Sequence, residues 1–193
     1  MAKKPGGLAG VVAGETAIAT VGKEGSGLNY RGYSIFDLAE NASFEEVAHL
    51  LLRGELPTAD QLTAFQAELA SKRELPETLR TVLELLPATS NPMDVMRTGC
   101  SVLGCLEPET DTAQQQDIST RLLAAFPSIL LYWYRFHKDG KKLDTSGDES
   151  IAGHFLRLLH DEAPREDRLK AMDVSLILYA EHEFNASTFA GRV

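Results

Sequence analysis

"DISTRLLAAFPSILLYWYRFHK", residues 117–138, decides the fold class. Its apolar residues recur every three to four positions, which is the period of a helix and not the strict alternation of a strand. Pro127 sits in the middle. The apolar pattern continues on both sides of it, so a kink is expected there and not a break. Within this stretch "RLLAAFPSILLYWYRF" is apolar on more faces than a single small core covers. A helix of that kind needs other helices around it, or a second copy of the chain, and Leu130, Leu131 and Trp133 are candidates for burial near such a contact.

The same period extends to either side. "SFEEVAHLLLRG" (43–54) opens on a capping box, Ser43 with Glu46, and closes on Gly54. "TADQLTAFQAELASKR" (58–73) starts from Thr58 as N-cap, and "PETLRTVLELL" (76–86) starts with proline and stops at Pro87. "NPMDVMRTGCSVLGCL" (91–106) follows in the same manner. Beyond the long helix, the polar loop 139–148 leads to helices at 149–161 and 165–183. Only the beginning reads otherwise. "TAIATV" (16–21) and "LNYRGYS" (28–34) flank the glycine-rich "GKEGSG", the pattern of a small hairpin. An all-α protein with a small N-terminal β-hairpin (about 16–34), helical from about residue 36 onward, is therefore expected.

The chain has 193 residues, 44% hydrophobic and 24% charged, enough for a sizeable core. Its formal net charge of −9 argues against a nucleic-acid binder, which needs a basic face. No apolar run approaches the ~18 residues of a membrane helix, and the N-terminal stretch is broken by glycines and stopped by Glu15. A cytoplasmic protein is expected. Cys100 and Cys105 point away from each other on a helix, so two buried thiols are expected, with no disulfide and no shared metal.

Five histidines are the remaining candidates for chemistry. His49 reads as a satisfied core residue, and His137 and His160 lie at helix C-termini where a cation suits the dipole. His154, near the start of its helix, is ambiguous. His182 differs from the rest. It follows "VSLILYA", apolar around the whole helix, and stands between Glu181 and Glu183. Helix-end carbonyls and flanking carboxylates favour a protonated imidazole there, a good donor to an anionic ligand or else a structural cap. Three adjacent side chains diverge by ~100° each on a helix, so Glu181, His182 and Glu183 cannot share a metal ion. No HExxH, CxxC, GxSxG or phosphate-binding glycine loop is present, and the "NAS" sequon at 185–187 has no signal peptide to give it meaning.

"YAEHEFNASTF" (179–189) resembles the histidine segment of the citrate synthase family. "GLAGVVAGETAIATVG" (7–22), the run 28–58 and "NPMDVMRTG" (91–99) are similar to the same family in the same order, so the resemblance covers nearly the whole chain. Tyr179 stands where citrate synthases commonly carry a second histidine. With "LLYWY" (130–134), this makes the chain more similar to the 2-methylcitrate synthase branch. Asn91 stands where a histidine commonly precedes Pro-Met.

The resemblance implies a citrate-synthase-like large domain and a condensation of oxaloacetate with an acyl-CoA, here propionyl-CoA. Thioester hydrolysis then gives 2-methylcitrate and CoA. It implies no cofactor, since the coenzyme A thioester is a substrate, and a homodimer as the assembly. His182 matches the family histidine that binds oxaloacetate, and Asn185 is a weaker candidate for the same pocket. The family's two further histidine segments and catalytic aspartate are not in this sequence. Residues 1–193 are thus expected to be the N-terminal part of the large domain, without the small domain, and inactive alone. The alternatives are a citrate synthase using acetyl-CoA and a catalytically silent helical assembly module.

Overall fold

The computed structural model describes residues 14–22, 27–147 and 149–192. The hairpin-loop residues 23–26, and the first seven residues of the 7–22 segment, lie outside this set. Strands β1 (Ala19–Val21), β2 (Leu28–Tyr30) and β3 (Tyr33–Ser34) form one antiparallel sheet in that order. The third strand exists because Arg31 (φ 46°) and Gly32 (φ 90°) reverse the chain within two residues. Two successive positive φ angles make the hairpin turn that matches strand twist.

Eight helices then carry the chain to Tyr179. Helix α1 (Ile35–Asn41) is capped by Ser34, and α2 (Phe44–Arg53) starts from the Ser43–Glu46 capping box and ends on Gly54 at φ 103°. Helix α3 (Ala59–Ser71) has its own capping box in Thr58 and Gln61. Helices α4 (Glu77–Leu85) and α5 (Pro92–Leu106) follow. Asn91 caps α5, its side chain accepting from the Met93 N–H, which accounts physically for asparagine at that position. Helix α6 (Gln115–Asp139) runs unbroken through Pro127 and ends on Gly140 at φ 70°. Helices α7 (Ile151–His160), α8 (Glu166–Tyr179) and a short α9 (Ala186–Arg192) complete the order.

Helix α6 packs against α3, α4, α5 and α7 and divides the interior in two. Ala124 belongs to a core made with the sheet, α1, α2, α3 and Ile177 of α8, while Ala125 and Ile129 belong to one made with α4 and α5. Leu131 and Trp133, expected near a contact between copies, are already buried within this chain at 2% and 5% exposure. The large apolar residues left open on α4 and α5 are Leu85, Met93 and Leu106. No helix of the described residues is long and apolar enough to cross a membrane.

Three expectations need correction. The helix read as 165–183 stops at Tyr179. It is not buried on all sides: Ile177 is its one buried residue, and Tyr179 is 90% exposed. The reason is that α8 has neighbours (α1, α2 and α7) along one side only. The two thiols are not buried either, because α5 turns Val95, Gly99 and Leu103 inward and leaves Cys100 half-buried and Cys105 exposed.

Helix α5 meets α6 closely at Gly99, where an added Cβ would lie 2.4 Å from Cγ2 of the fully buried Ile129. Gly104 on the same helix has nothing within 4 Å. Gly99→Ala should therefore destabilise the fold by about 1–3 kcal/mol through overpacking. Gly104→Ala should leave stability unchanged or raise it by up to about 1 kcal/mol through helix propensity. Thermal unfolding of the two variants beside the parent checks this, and equal melting of both would remove the close contact from the account.

Candidate functional site

The segment after α8 is built by the sheet. The Tyr30 side chain, fully buried, reaches from β2 to the end of α8. Its hydroxyl donates to the Ile177 carbonyl at 3.0 Å and accepts from the Glu181 N–H at 3.3 Å. The Ile177 carbonyl also accepts from the Ala180 N–H at 3.3 Å, and the Glu181 N–H is the first amide past that cap residue, so the phenol adds a side-chain bridge to the helix end. Burial pushes the Tyr30 phenol up, which keeps it protonated and able to donate.

Two residues on, the chain turns again. Glu183 sits at φ 56°, in the left-handed region, and its Oε1 accepts from the Val21 N–H at 2.9 Å. Asn185 then starts α9, its Oδ1 accepting from the Thr188 N–H at 2.9 Å. A cavity of about 250 Å³ lined by Ile18, Phe44, Ala48, Leu51, Leu52, Leu123 and other residues borders the segment at Ala180 and Glu181.

His182 is exposed and lies between these two anchors. It does not occupy the last turn of a helix, as the sequence suggested, because the Tyr30 bridge closes α8 at Tyr179. The flanking carboxylates do not face it either: Glu181 accepts from the His182 backbone N–H at 2.9 Å, and Glu183 is on Val21. Among the described residues the imidazole has no hydrogen-bond partner, so both ring nitrogens are open to a ligand. Asn185 is exposed nearby in the chain, and its cap fixes Oδ1 inward and leaves the Nδ2 amide to donate.

A second constellation superficially has the order of a nucleophilic triad. His154 Nε2 is 2.9 Å from Ser128 Oγ, and His154 Nδ1 is 3.9 Å from Glu149 Oε2. The proton arrangement is the reverse of one. Arg157 Nη2 lies 3.2 Å from His154 Nδ1 and can only donate, so Nδ1 accepts and Nε2–H donates to Ser128. Both Ser128 and His154 are fully buried, out of reach of any substrate. Burial first, then the Arg73 and Arg157 guanidinium groups, hold His154 down at about 3, against a small opposing pull from Asp144. Such an imidazole is a structural element and not a base.

The other histidines are as expected. His49 is buried, with Nδ1 2.9 Å from the Glu55 carbonyl and its ring edge-on to Phe65. His137 Nε2 lies 3.3 Å from the Leu83 carbonyl, and His160 is exposed in the last turn of α7. The described residues contain no His/Cys/Asp/Glu cluster able to hold a metal ion.

Residues 7–193 match the family described as citrate synthase, C-terminal domain. A 2-methylcitrate synthase of Shewanella oneidensis is 62% identical over 97% of this chain and 50% of its own length. A citrate synthase of Mycolicibacterium smegmatis is 42% identical over 97% of this chain and 50% of that protein. Among solved structures, citrate synthase from Thermotoga maritima is similar with a TM-score of 0.85 at 31% identity, over 96% of this chain and 49% of that one. The Thermoplasma acidophilum citrate synthase, solved with carboxymethyl coenzyme A and oxaloacetate, gives a TM-score of 0.87 at 25% identity, over 94% and 49%. The chain spans about half the length of the curated relatives it matches.

The buried His154 makes stability pH-dependent. Its folded value of about 3 lies below the ordinary imidazole value of 6.5, so the unfolded chain binds more protons between those limits and stability falls as pH falls through that window. By pH 5 the loss is on the order of 2 kcal/mol. Glu45 works in the opposite sense, since burial raises its carboxyl. The His154→Gln variant, though less stable throughout, should have lost this slope. Urea unfolding at pH 7, 6 and 5 checks it, and parallel profiles for the two proteins would contradict the assignment.

Proposed function

The chain belongs to the citrate synthase family, and on that premise we propose that it is the N-terminal part of a 2-methylcitrate synthase in which His182 binds a carboxylate of oxaloacetate. The reaction joins the α-carbon of propionyl-CoA to the ketone carbon of oxaloacetate. Water then cleaves the thioester, releasing 2-methylcitrate and the CoA thiol. Propionyl-CoA and oxaloacetate are substrates, and no cofactor enters. The observation that carries this reading is the 62% identity to the Shewanella 2-methylcitrate synthase across 97% of the chain, against 42% for the Mycolicibacterium citrate synthase. The unpartnered, exposed imidazole of His182 supports its role, as does the oxaloacetate in the similar Thermoplasma structure.

In this reading His182 is a charge-assisted donor to the dianion and Asn185 Nδ2 a weaker second one. The residues that enolise the acyl-CoA are not in this chain, so the chain alone turns over nothing. The enzyme is a cytoplasmic homodimer, in which the open apolar residues of α4 and α5 are the material for contact between copies.

Two experiments test the proposal. Calorimetric titration of oxaloacetate into the full-length enzyme should show His182→Ala weakening binding by roughly 10- to 150-fold, the worth of one charge-assisted hydrogen bond, at unchanged melting. His182→Gln should fall between the two, and equal affinities would remove His182 from the site. In a thiol-release assay the isolated chain should give no CoA from propionyl-CoA and oxaloacetate. The full-length enzyme should prefer propionyl-CoA over acetyl-CoA, by roughly 10- to 200-fold at most for one methylene. Preference for acetyl-CoA would make the enzyme a citrate synthase.

A further inference from the structure

We propose that Tyr30 and Glu183 are positioning residues for His182: the N-terminal sheet grips the histidine segment at two points and so sets where the imidazole stands. The inference rests on His182 being the oxaloacetate ligand.

The geometry starts from the strand register. Ala19 pairs with Tyr30 and Val21 with Leu28. The Gly22 N–H donates to the Gly27 carbonyl and the Arg31 N–H to the Ile18 carbonyl, which makes these two, and Thr20 with Asn29 between them, the hydrogen-bonded pairs. Val21 is in the alternate class, so its N–H points away from β2 at the open edge of the sheet. An open edge amide needs an acceptor, and Glu183 Oε1 supplies it at 2.9 Å. On the other side of His182, the Tyr30 hydroxyl holds both the Ile177 carbonyl and the Glu181 N–H.

His182 is therefore spanned by a bond to its preceding residue and a bond from its following one, both reaching the same sheet more than 150 positions away in sequence. Between them the Glu181 carboxylate closes onto the His182 N–H, which restricts the backbone further. The left-handed backbone at Glu183 is a conformation that residues with a side chain adopt at a cost, and the Val21 bond holds it there. Without these bonds the imidazole would sample many positions, and a ligand would have to order it on binding. Neither Tyr30 nor Glu183 has to touch oxaloacetate for this to matter.

The test is steady-state kinetics and a double-mutant cycle in the full-length enzyme. Glu183→Ala and Tyr30→Phe should each raise the oxaloacetate KM about three- to tenfold while leaving the acyl-CoA KM unchanged. Glu183→Gln keeps an acceptor for the Val21 N–H and should restore most of the loss. In a His182→Ala background, Glu183→Ala should have no further effect on oxaloacetate, because it acts only through the imidazole. A rise in both KM values together, or additive effects in the double variant, would overturn the inference and reduce the two bonds to general support of the fold. If Tyr30→Phe fails to fold, the Glu183 series decides alone. If His182→Ala itself leaves oxaloacetate binding unchanged, the proposed function fails first. If His182→Ala weakens binding and neither Tyr30→Phe nor Glu183→Ala does, only the positioning inference fails.

Discussion

The burial of α6 is the constraint on which the other elements depend. Ala124, Ala125 and Ile129 are each fully buried, and adjacent alanines face different cores. A helix apolar around so much of its surface cannot be covered from one side, so it takes α4 and α5 on one flank and the sheet with α1, α2 and α3 beyond the other. Small residues at the crossings set the distance. Gly99 lets α5 approach Ile129 closer than any side chain would allow.

That division has a consequence for the site. The core on the N-terminal side includes Ala19 and Tyr30 from the sheet together with Ile177 from α8. Packing the sheet there brings the Tyr30 hydroxyl to the end of α8, and the edge of β1 to Glu183. The histidine segment is thus held by the earliest part of the fold, and its position is a product of long-range packing more than of its own local preference. The polar groups between α6 and α7 are of a different kind. His154 and Ser128 are fully buried, the half-buried Arg157 donates to His154 and to the Ser146 carbonyl, and together they join α6 to α7 and the loop before it. Their contacts specify packing.

Most of the helices were legible because their signals are local. Ser43 with Glu46 as a capping box, and Thr58 as an N-cap, announce starts that the structure reproduces, Gln61 completing a second box at Thr58. Pro127 does not break α6, as the continuing apolar period around it indicated. The end of α8 was not legible. Nothing between Val174 and Glu183 says stop, and the residue that closes the helix is Tyr30, 147 positions earlier than the carbonyl it holds. The same distance hid the left-handed turn at Glu183, whose partner is an amide on β1. His182 could be singled out by its setting in the chain. Its exposure, and the engagement of both neighbouring carboxylates by backbone amides, could not. Asn185, singled out only as a weaker candidate for the pocket of His182, also caps the start of α9, a helix the sequence left unmarked.

The proposed role of His182 is to offer oxaloacetate an imidazole held in place from two sides. The most direct measurement is a crystal structure of the full-length enzyme with oxaloacetate bound. The account predicts a His182 ring nitrogen about 2.7–2.9 Å from a carboxylate oxygen of the ligand, with Glu183 still on the Val21 N–H and Tyr30 still bridging the end of α8. Oxaloacetate bound elsewhere, with His182 turned to solvent, would contradict it.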